Sequence, residues 1–281
     1  MRNKKEQGEA TGMEAATVVT DRVGGRRLRV ATWRLGTKSN CQSILFFNGI
    51  GANIETAAPL ANALSDRAFI TLEMPGTGNS PDPSLPYNPA VIAWTAACLL
   101  DKLGVDRVDV MGVSWGGAIA QHFALQHANR VRRLVLAATT PGVLMVPGEL
   151  AALAKMFSPR RFRDPAFTRR NFAAIFGGAD FEGSDDFKSS HMGRTRAPTR
   201  RGYFYQILAM LGWTSLPFLP MLRAKTLVLM GDADRIVPVV NGRILARCIP
   251  KAELKIIPGG GHLFLLSHLS AVAVVLRNFL R

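Results

Sequence analysis

The stretch Val108-Asp-Val-Met-Gly-Val-Ser-Trp-Gly-Gly-Ala-Ile-Ala-Gln-His122 constrains the fold of this chain more than any other. Val108 to Val113 is short, mostly apolar and rich in β-branched residues, so it reads as a buried strand. From Trp115 to Leu125, Ala118, Ile119, Phe123 and Ala124 recur at helical spacing. Between the two, Gly112-Val113-Ser114-Trp115-Gly116 puts a serine at the tip of a sharp turn. Such a turn is strained, and glycines two residues before and after the serine remove side chains that would clash. The hydroxyl is then exposed beside a helix N-terminus, whose free N–H groups favour negative charge. The pentapeptide alone also fits an ordinary tight turn before a helix. Its strand–turn–helix context makes Ser114 a candidate nucleophile and the Trp115 N–H a candidate oxyanion donor.

A serine hydroxyl needs an adjacent base, and the base needs a carboxylate to hold its tautomer. The chain supplies both after later strands. Lys225-Thr-Leu-Val-Leu-Met230 reads as a strand and runs into Gly231-Asp-Ala-Asp-Arg-Ile-Val-Pro238. Glu253-Leu-Lys-Ile-Ile257 is another, followed by Pro258-Gly-Gly-Gly-His262. Ser114, Asp234 and His262 thus follow three separate predicted strands, in the chain order Ser, acid, His expected of a serine hydrolase on a parallel sheet. Asp232 is the competing acid, but it lies one residue past Gly231, where it can cap the turn. Glu73 also ends a strand, but it precedes Ser114 and reads as a structural acceptor for its loop. His122, His127, His191 and His268 read as packed or surface residues. The loop Asn48-Gly49-Ile50-Gly51-Ala52-Asn53 follows the strand Ser43-Ile-Leu-Phe-Phe47 and is the place for a second oxyanion donor, by position the N–H of Ile50.

The remaining strands are Thr17 to Thr20, Leu28 to Trp33, Ala68 to Leu72 and Arg133 to Ala138. Helices are expected over Ile54 to Leu64, Val91 to Leu103, from about Val240 to Cys248, and at the C-terminus. The alternation implies an α/β fold: a mostly parallel central sheet with right-handed crossovers and helices on both faces. It stops from about Thr140 to Leu222, where apolar helical patterns (Leu150 to Phe157, Tyr203 to Leu211) alternate with basic loops. The expected organisation is a polar, disordered basic tail over 1–15, a core over 16–139 and 223–281, and an inserted helical cap over 140–222. Two apolar sets in the cap, Leu144 to Phe157 and Leu211 to Met221, are expected in part to roof the Ser114 cleft and in part to hold the cap to the sheet.

With 281 residues, 48% of them hydrophobic, the chain can build one large core. It has no apolar run of membrane-spanning length and no signal-peptide pattern, so a cytoplasmic enzyme is expected. Three well-separated cysteines, Cys41, Cys98 and Cys248, argue against a disulfide framework or a zinc site. The formal net charge of +15 attracts acidic surfaces, but without a recognisable nucleic-acid motif it reads as a solvated basic surface, and no nucleic-acid partner is expected.

Several stretches resemble the intracellular poly(3-hydroxyalkanoate) depolymerases of the medium-chain-length type, within the α/β-hydrolase superfamily. They are Phe47-Asn-Gly-Ile-Gly-Ala-Asn53, Gly112-Val-Ser-Trp-Gly-Gly-Ala118, Leu134-Val-Leu-Ala-Ala-Thr139, Val143-Leu-Met-Val-Pro-Gly148, Leu211-Gly-Trp-Thr-Ser215 and Gly260-Gly-His-Leu-Phe-Leu265. General α/β-hydrolases share the nucleophile and acid loops, but usually carry His where this chain has Asn48. The resemblance implies Ser114 as nucleophile, Asp234 as acid and His262 as base. It also implies hydrolysis of 3-hydroxyacyl esters without metal or cofactor, on a polymer-granule surface. The basic tail and the basic segment Arg160 to Arg201 depart from the family pattern. An esterase, thioesterase or C–C bond hydrolase acting on small soluble substrates is the nearest rival reading. A non-catalytic granule-binding protein is the rival of a different class, and the complete Ser–Asp–His set argues against it.

Overall fold

The computed structural model describes residues 14–37, 39–178 and 185–281. The tail expected over 1–15 therefore lies outside the described residues, apart from its last two.

All eight predicted strands form, with no end moved by more than three residues. They are β1 (Thr17–Val23), β2 (Arg26–Trp33), β3 (Ile44–Phe47), β4 (Phe69–Leu72), β5 (Val108–Val113), β6 (Val131–Ala137), β7 (Lys225–Gly231) and β8 (Ala252–Ile257). They make a single sheet in the order β1-β2-β4-β3-β5-β6-β7-β8. β1, β2 and β4 pair antiparallel, and β4, β3, β5, β6, β7 and β8 pair parallel. The parallel strands end on one edge of the sheet, and open α/β sheets bind ligands at that edge.

The period of two along each strand divides the core. Leu45, Phe47, Val110, Leu134 and Val228 face one side. There they meet Ile92 and Leu99 of α2 (Pro89–Lys102), Ile119 and Phe123 of α3 (Trp115–Gln126), and Leu245 of the helix after β7. Ile44, Phe46, Met111, Val135 and Leu227 face the other, against Ile54, Ala57 and Leu60 of α1 (Ile54–Ala63) and the two C-terminal helices. Both faces of the central strands are covered, which is why these strands read as unbroken apolar runs.

Among the described residues between β6 and β7 lie six α-helices: α4 (Leu150–Phe157), α5 (Arg160–Arg163), α6 (Pro165–Arg170), α7 (Phe172–Phe176), α8 (Asp185–Arg194) and α9 (Arg200–Met210). A 3-10 turn, Leu216–Met221, follows. The core then closes with β7, α10 (Val239–Cys248), β8, α11 (Phe264–Ser267) and α12 (Leu269–Phe279). Helical pattern in the sequence points to α4 and α9 but not to α5 to α8. α5, α6 and α7 are four to six residues long, too short for an apolar period to show, and α8 is mostly polar along its length with no buried residue. They are set instead by local devices such as the Asp164 cap, which accepts the Phe167 N–H at 3.0 Å before Pro165 at the first turn. Among the described residues no helix is long and apolar enough to cross a membrane.

Candidate active site

β5 delivers Ser114 as predicted, at φ 53° and ψ −121°. A positive φ is costly for a residue with a side chain, and the neighbouring packing enforces it. A β-carbon on Gly112 would lie 2.3 Å from the Gly116 carbonyl oxygen, and one on Gly116 would lie 2.1 Å from that of Phe47. The two glycines are thus the condition for α3 to approach β3 and β5 closely enough to fix the turn. Ser114 N–H donates to the Ala137 carbonyl at 2.9 Å, and the Thr139 hydroxyl donates to the Ser114 carbonyl at 2.7 Å.

The loops after β7 and β8 bring the other two residues to it. His262 Nε2 stands 3.0 Å from Ser114 Oγ, and His262 Nδ1 stands 2.8 Å from Asp234 Oδ2. The second oxygen of Asp234 accepts the Ile236 and Val237 N–H groups at 2.8 and 2.9 Å. Asp234 and His262 are 6% and 5% exposed, so the carboxylate meets protein donors rather than water. With the carboxylate on Nδ1, the imidazole presents Nε2 to the serine as an acceptor. The arrangement can take a proton from Ser114 and return it to a leaving group.

Asp232 takes a different place. Its Oδ1 accepts the Gly259 N–H at 2.7 Å, so it ties the β7 loop to the loop that carries His262. Glu73 is the loop acceptor expected from its position. It accepts the N–H groups of Ile54, Asn79 and Ser80 and pairs with Arg29, while burial pushes it above the usual carboxylate range.

Ile50 lies on the wall of the Ser114 cavity, and a β-carbon on Gly49 would sit 3.8 Å from Ser114 Cβ. Among the described residues, neither the Ile50 nor the Trp115 backbone N–H has a protein acceptor. Asn48 holds this loop by donating to the Asn53 carbonyl at 3.1 Å and Thr56 Oγ1 at 2.9 Å, while its own oxygen accepts the Gly49 N–H at 2.9 Å. Gln206 is a residue that sequence reasoning missed. From α9 it accepts the Gly51 N–H at 2.8 Å, donates to Thr77 Oγ1 at 2.6 Å, and offers its carbonyl to Trp115 Nε1 at 2.9 Å. This one residue therefore braces both sides of the candidate oxyanion site, through its buried side-chain amide at Gly51 and Thr77 and its backbone carbonyl at Trp115. A lone glutamine in an amphipathic helix carries no signal of such a role.

One expectation about the helical segment needs correction. Of its two apolar sets, Met156 alone lines the Ser114 cavity. Leu144, Leu150, Phe157, Leu211, Phe218 and Met221 are exposed, Leu150 by 80% and Leu211 by 78%. The cavity is instead walled by Phe46, Leu60, Phe162, Phe176, Leu263 and Leu266 with their neighbours, from the sheet edge, the short helices and the segment after His262. His191 is packed among Phe172, Phe176 and Phe187, and it also lines the cavity. Its ring stacks on Phe187 at an interplanar angle of 10°, and burial, with the charges of Arg161 and Arg194, pushes its pKa down to about 4. His122 receives a long hydrogen bond from Trp213 Nε1 and His268 bonds Ser267 Oγ, both away from Ser114.

Comparison with known proteins gives the family of the chain. Residues 42–269 match the alpha/beta hydrolase fold family. The chain is 42% identical to a poly(3-hydroxyalkanoate) depolymerase of Ectopseudomonas oleovorans over 245 residues, covering 87% of this chain and 86% of that protein. It is 29% identical to a 2-hydroxymuconate semialdehyde hydrolase of Pseudomonas putida, covering 80% and 81%. Among solved structures, the enol-lactonase from Burkholderia xenovorans LB400 superposes with a TM-score of 0.79 at 22% identity, covering 92% of this chain and 98% of that one. The chain is a hydrolase of the alpha/beta hydrolase fold family, in the same family as the poly(3-hydroxyalkanoate) depolymerase of Ectopseudomonas oleovorans.

Proposed function

We propose that this protein is a serine ester hydrolase that cleaves the 3-hydroxyacyl ester bonds of a poly(3-hydroxyalkanoate) of medium side-chain length. Ser114 Oγ attacks the ester carbonyl as His262 takes its proton across the 3.0 Å contact. Asp234 holds the imidazole and stabilises the imidazolium. The Ile50 and Trp115 N–H groups receive the oxyanion, each worth about 3 kcal/mol of barrier. His262 then protonates the departing hydroxyl oxygen, and water cleaves the acyl-enzyme with His262 again as base. Residues 140–222 act as a cap over this site.

The observation that carries the polyester substrate is the 42% identity to the depolymerase over 87% of the chain. The apolar wall beside Ser114 supports medium-length side chains, since each buried methylene is worth up to about 0.8 kcal/mol. The protein acts in the cytoplasm at a polymer granule. The exposed arginines 160, 163, 169, 170, 196, 200 and 201 supply attraction to an acidic coat.

Purified protein given emulsified poly(3-hydroxyoctanoate) and poly(3-hydroxybutyrate) tests the reading. Faster clearing of the octanoate polymer is expected. Inertness on both polymers with turnover of small soluble esters, or of C–C bonds in vinylogous diketone acids, would replace it.

A further inference from the structure

Arg161 stands apart from the arginines around it. Arg160 and Arg163 on the same short helix are exposed, whereas the Arg161 side chain turns inward. Its Nε and Nη2 atoms are buried, and among the described residues they have no hydrogen-bond partner. Its guanidinium carbon lies 4.1 Å from the centre of the Phe162 ring, and its polar neighbour is the Tyr203 hydroxyl. No described aspartate or glutamate faces it. Burial pushes the guanidinium below the usual arginine range, but arginine keeps its charge at neutral pH.

Arg161 lines the same cavity as Ser114, Ile50 and His262. Among the described lining residues it is the one lysine, arginine, aspartate or glutamate. His191 beside it stays neutral at pH 7. The wall of an apolar substrate cavity therefore carries one fixed positive charge whose Nε and Nη2 donors are unused among the described residues. Burying a charge without a counter-ion is strongly unfavourable, so an anionic ligand that enters gains what the protein withholds. A planar guanidinium fork fits a carboxylate in particular.

We propose that Arg161 anchors the free carboxylate of the substrate, so that the enzyme takes 3-hydroxyacyl chains by their carboxyl end. The inference rests on the ester-hydrolase reading above and names the substrate class within it. A 3-hydroxyacyl chain carries neutral esters along its length and a single carboxylate at one end. With that carboxylate on Arg161, Ser114 Oγ attacks an ester carbonyl further along the chain. The acyl C–O bond breaks, and the departing 3-hydroxyl oxygen takes the proton held on His262 Nε2. The released hydroxyacid carries the anchored carboxylate. Water then attacks the acyl carbon, gives its proton through His262 to Ser114 Oγ, and leaves a shortened chain with a new carboxyl end. One water is consumed for each ester cleaved.

The test uses the full chain and one substrate in two forms, the linear trimer of 3-hydroxyoctanoate as the free acid and as its terminal methyl ester. Cleavage of the internal hydroxyacyl esters is followed by chromatography. The wild type should show kcat/KM on the free acid about thirtyfold above that on the methyl ester. Arg161→Met should bring this ratio close to one, and Arg161→Lys should restore part of it. The ratio is internal to each protein, so a general loss of activity does not move it. Equal rates of the wild type on both trimers, or a ratio retained in Arg161→Met, overturn the anchor. So does 4-nitrophenyl octanoate turnover with neither trimer cleaved. If the wild type hydrolyses no ester at all, the ester-hydrolase reading falls instead, and binding decides Arg161 separately. 3-Hydroxyoctanoate should raise the Tm of the wild type but not of Arg161→Met, and an equal rise in both overturns the anchor.

Discussion

Asp234 is buried and Arg161 half-buried with its Nε and Nη2 atoms enclosed; both are charged and belong to the Ser114 site, but the protein treats them in opposite ways. Asp234 comes from a loop at the edge of the parallel sheet, and its oxygens meet His262 and two backbone N–H groups. Arg161 comes from a four-residue helix between β6 and β7, and two of its nitrogens meet nothing among the described residues. The contrast extends to the surroundings. The strands bury their apolar side chains on both faces, while the helical segment leaves Leu150, Leu211 and Met221 in solvent. A carboxylate that must orient a base is useful only when held still. A cation that receives a ligand is useful only when its donors are free. The sheet edge is built to be complete, and the helical segment is built to be completed by something else.

The largest expected effect lies on the complete side. Ser114→Ala and His262→Ala should each lower kcat by about 10⁶ on 4-nitrophenyl octanoate, because triad members act as a unit. Retained activity in Ser114→Ala would move the chemistry elsewhere in the cavity. Asp234→Asn should lower kcat by about 10⁴ through the wrong tautomer. Asp232→Asn, which disturbs one bond to the Gly259 N–H, should be far milder, and the reverse order would exchange the roles of the two acids.

The next effects sharpen the other side of the comparison. His191 has its pKa lowered from 6.5 to about 4 in the folded protein. Below pH 6.5 the unfolded chain therefore binds the proton that the folded one refuses. The stability contributed is fully present above pH 6.5 and is lost as pH falls towards 4, at most about 3 kcal/mol. Urea unfolding at pH 7 and pH 5 should show this loss in the wild type and a smaller one in His191→Phe, whose ring suits the cluster of Phe172, Phe176 and Phe187. An identical pH slope in both proteins would place the acid sensitivity elsewhere.

Chain-length preference should follow the cavity wall rather than the exposed apolar residues. kcat/KM on 4-nitrophenyl octanoate should exceed that on the acetate by roughly a hundredfold. Phe162→Ala should reduce that margin, while Leu150→Ala leaves it alone. The reverse pattern would return the pocket to the exposed set. The smallest effect concerns charge. Cosedimentation with polymer granules should weaken towards 1 M salt, where the Debye length is about 3 Å. Binding that ignores salt would assign docking to the exposed apolar side chains instead.

The sequence by itself determined the sheet and the polar line across its edge. Strand existence follows from apolar runs and β-branched residues, and β5 ends where the sequence places it, at Val113. Ser114, Asp234 and His262 were legible because each lies at or within a few residues of the end of a strand. On a parallel sheet, chain order and strand ends together fix where such loops meet. Tertiary structure alone decided the rest of the cavity. Gln206 joins Gly51, Thr77 and Trp115 across separations of up to 155 residues, which no local pattern encodes. Arg161 sits in a run of arginines whose side chains look alike in sequence, and only packing decides which one turns inward. The exposed apolar residues of the helical segment are as hydrophobic as the wall residues Phe162 and Phe176. Hydrophobicity states that a side chain gains by burial, but the partner that buries it is chosen by the path of the chain in three dimensions.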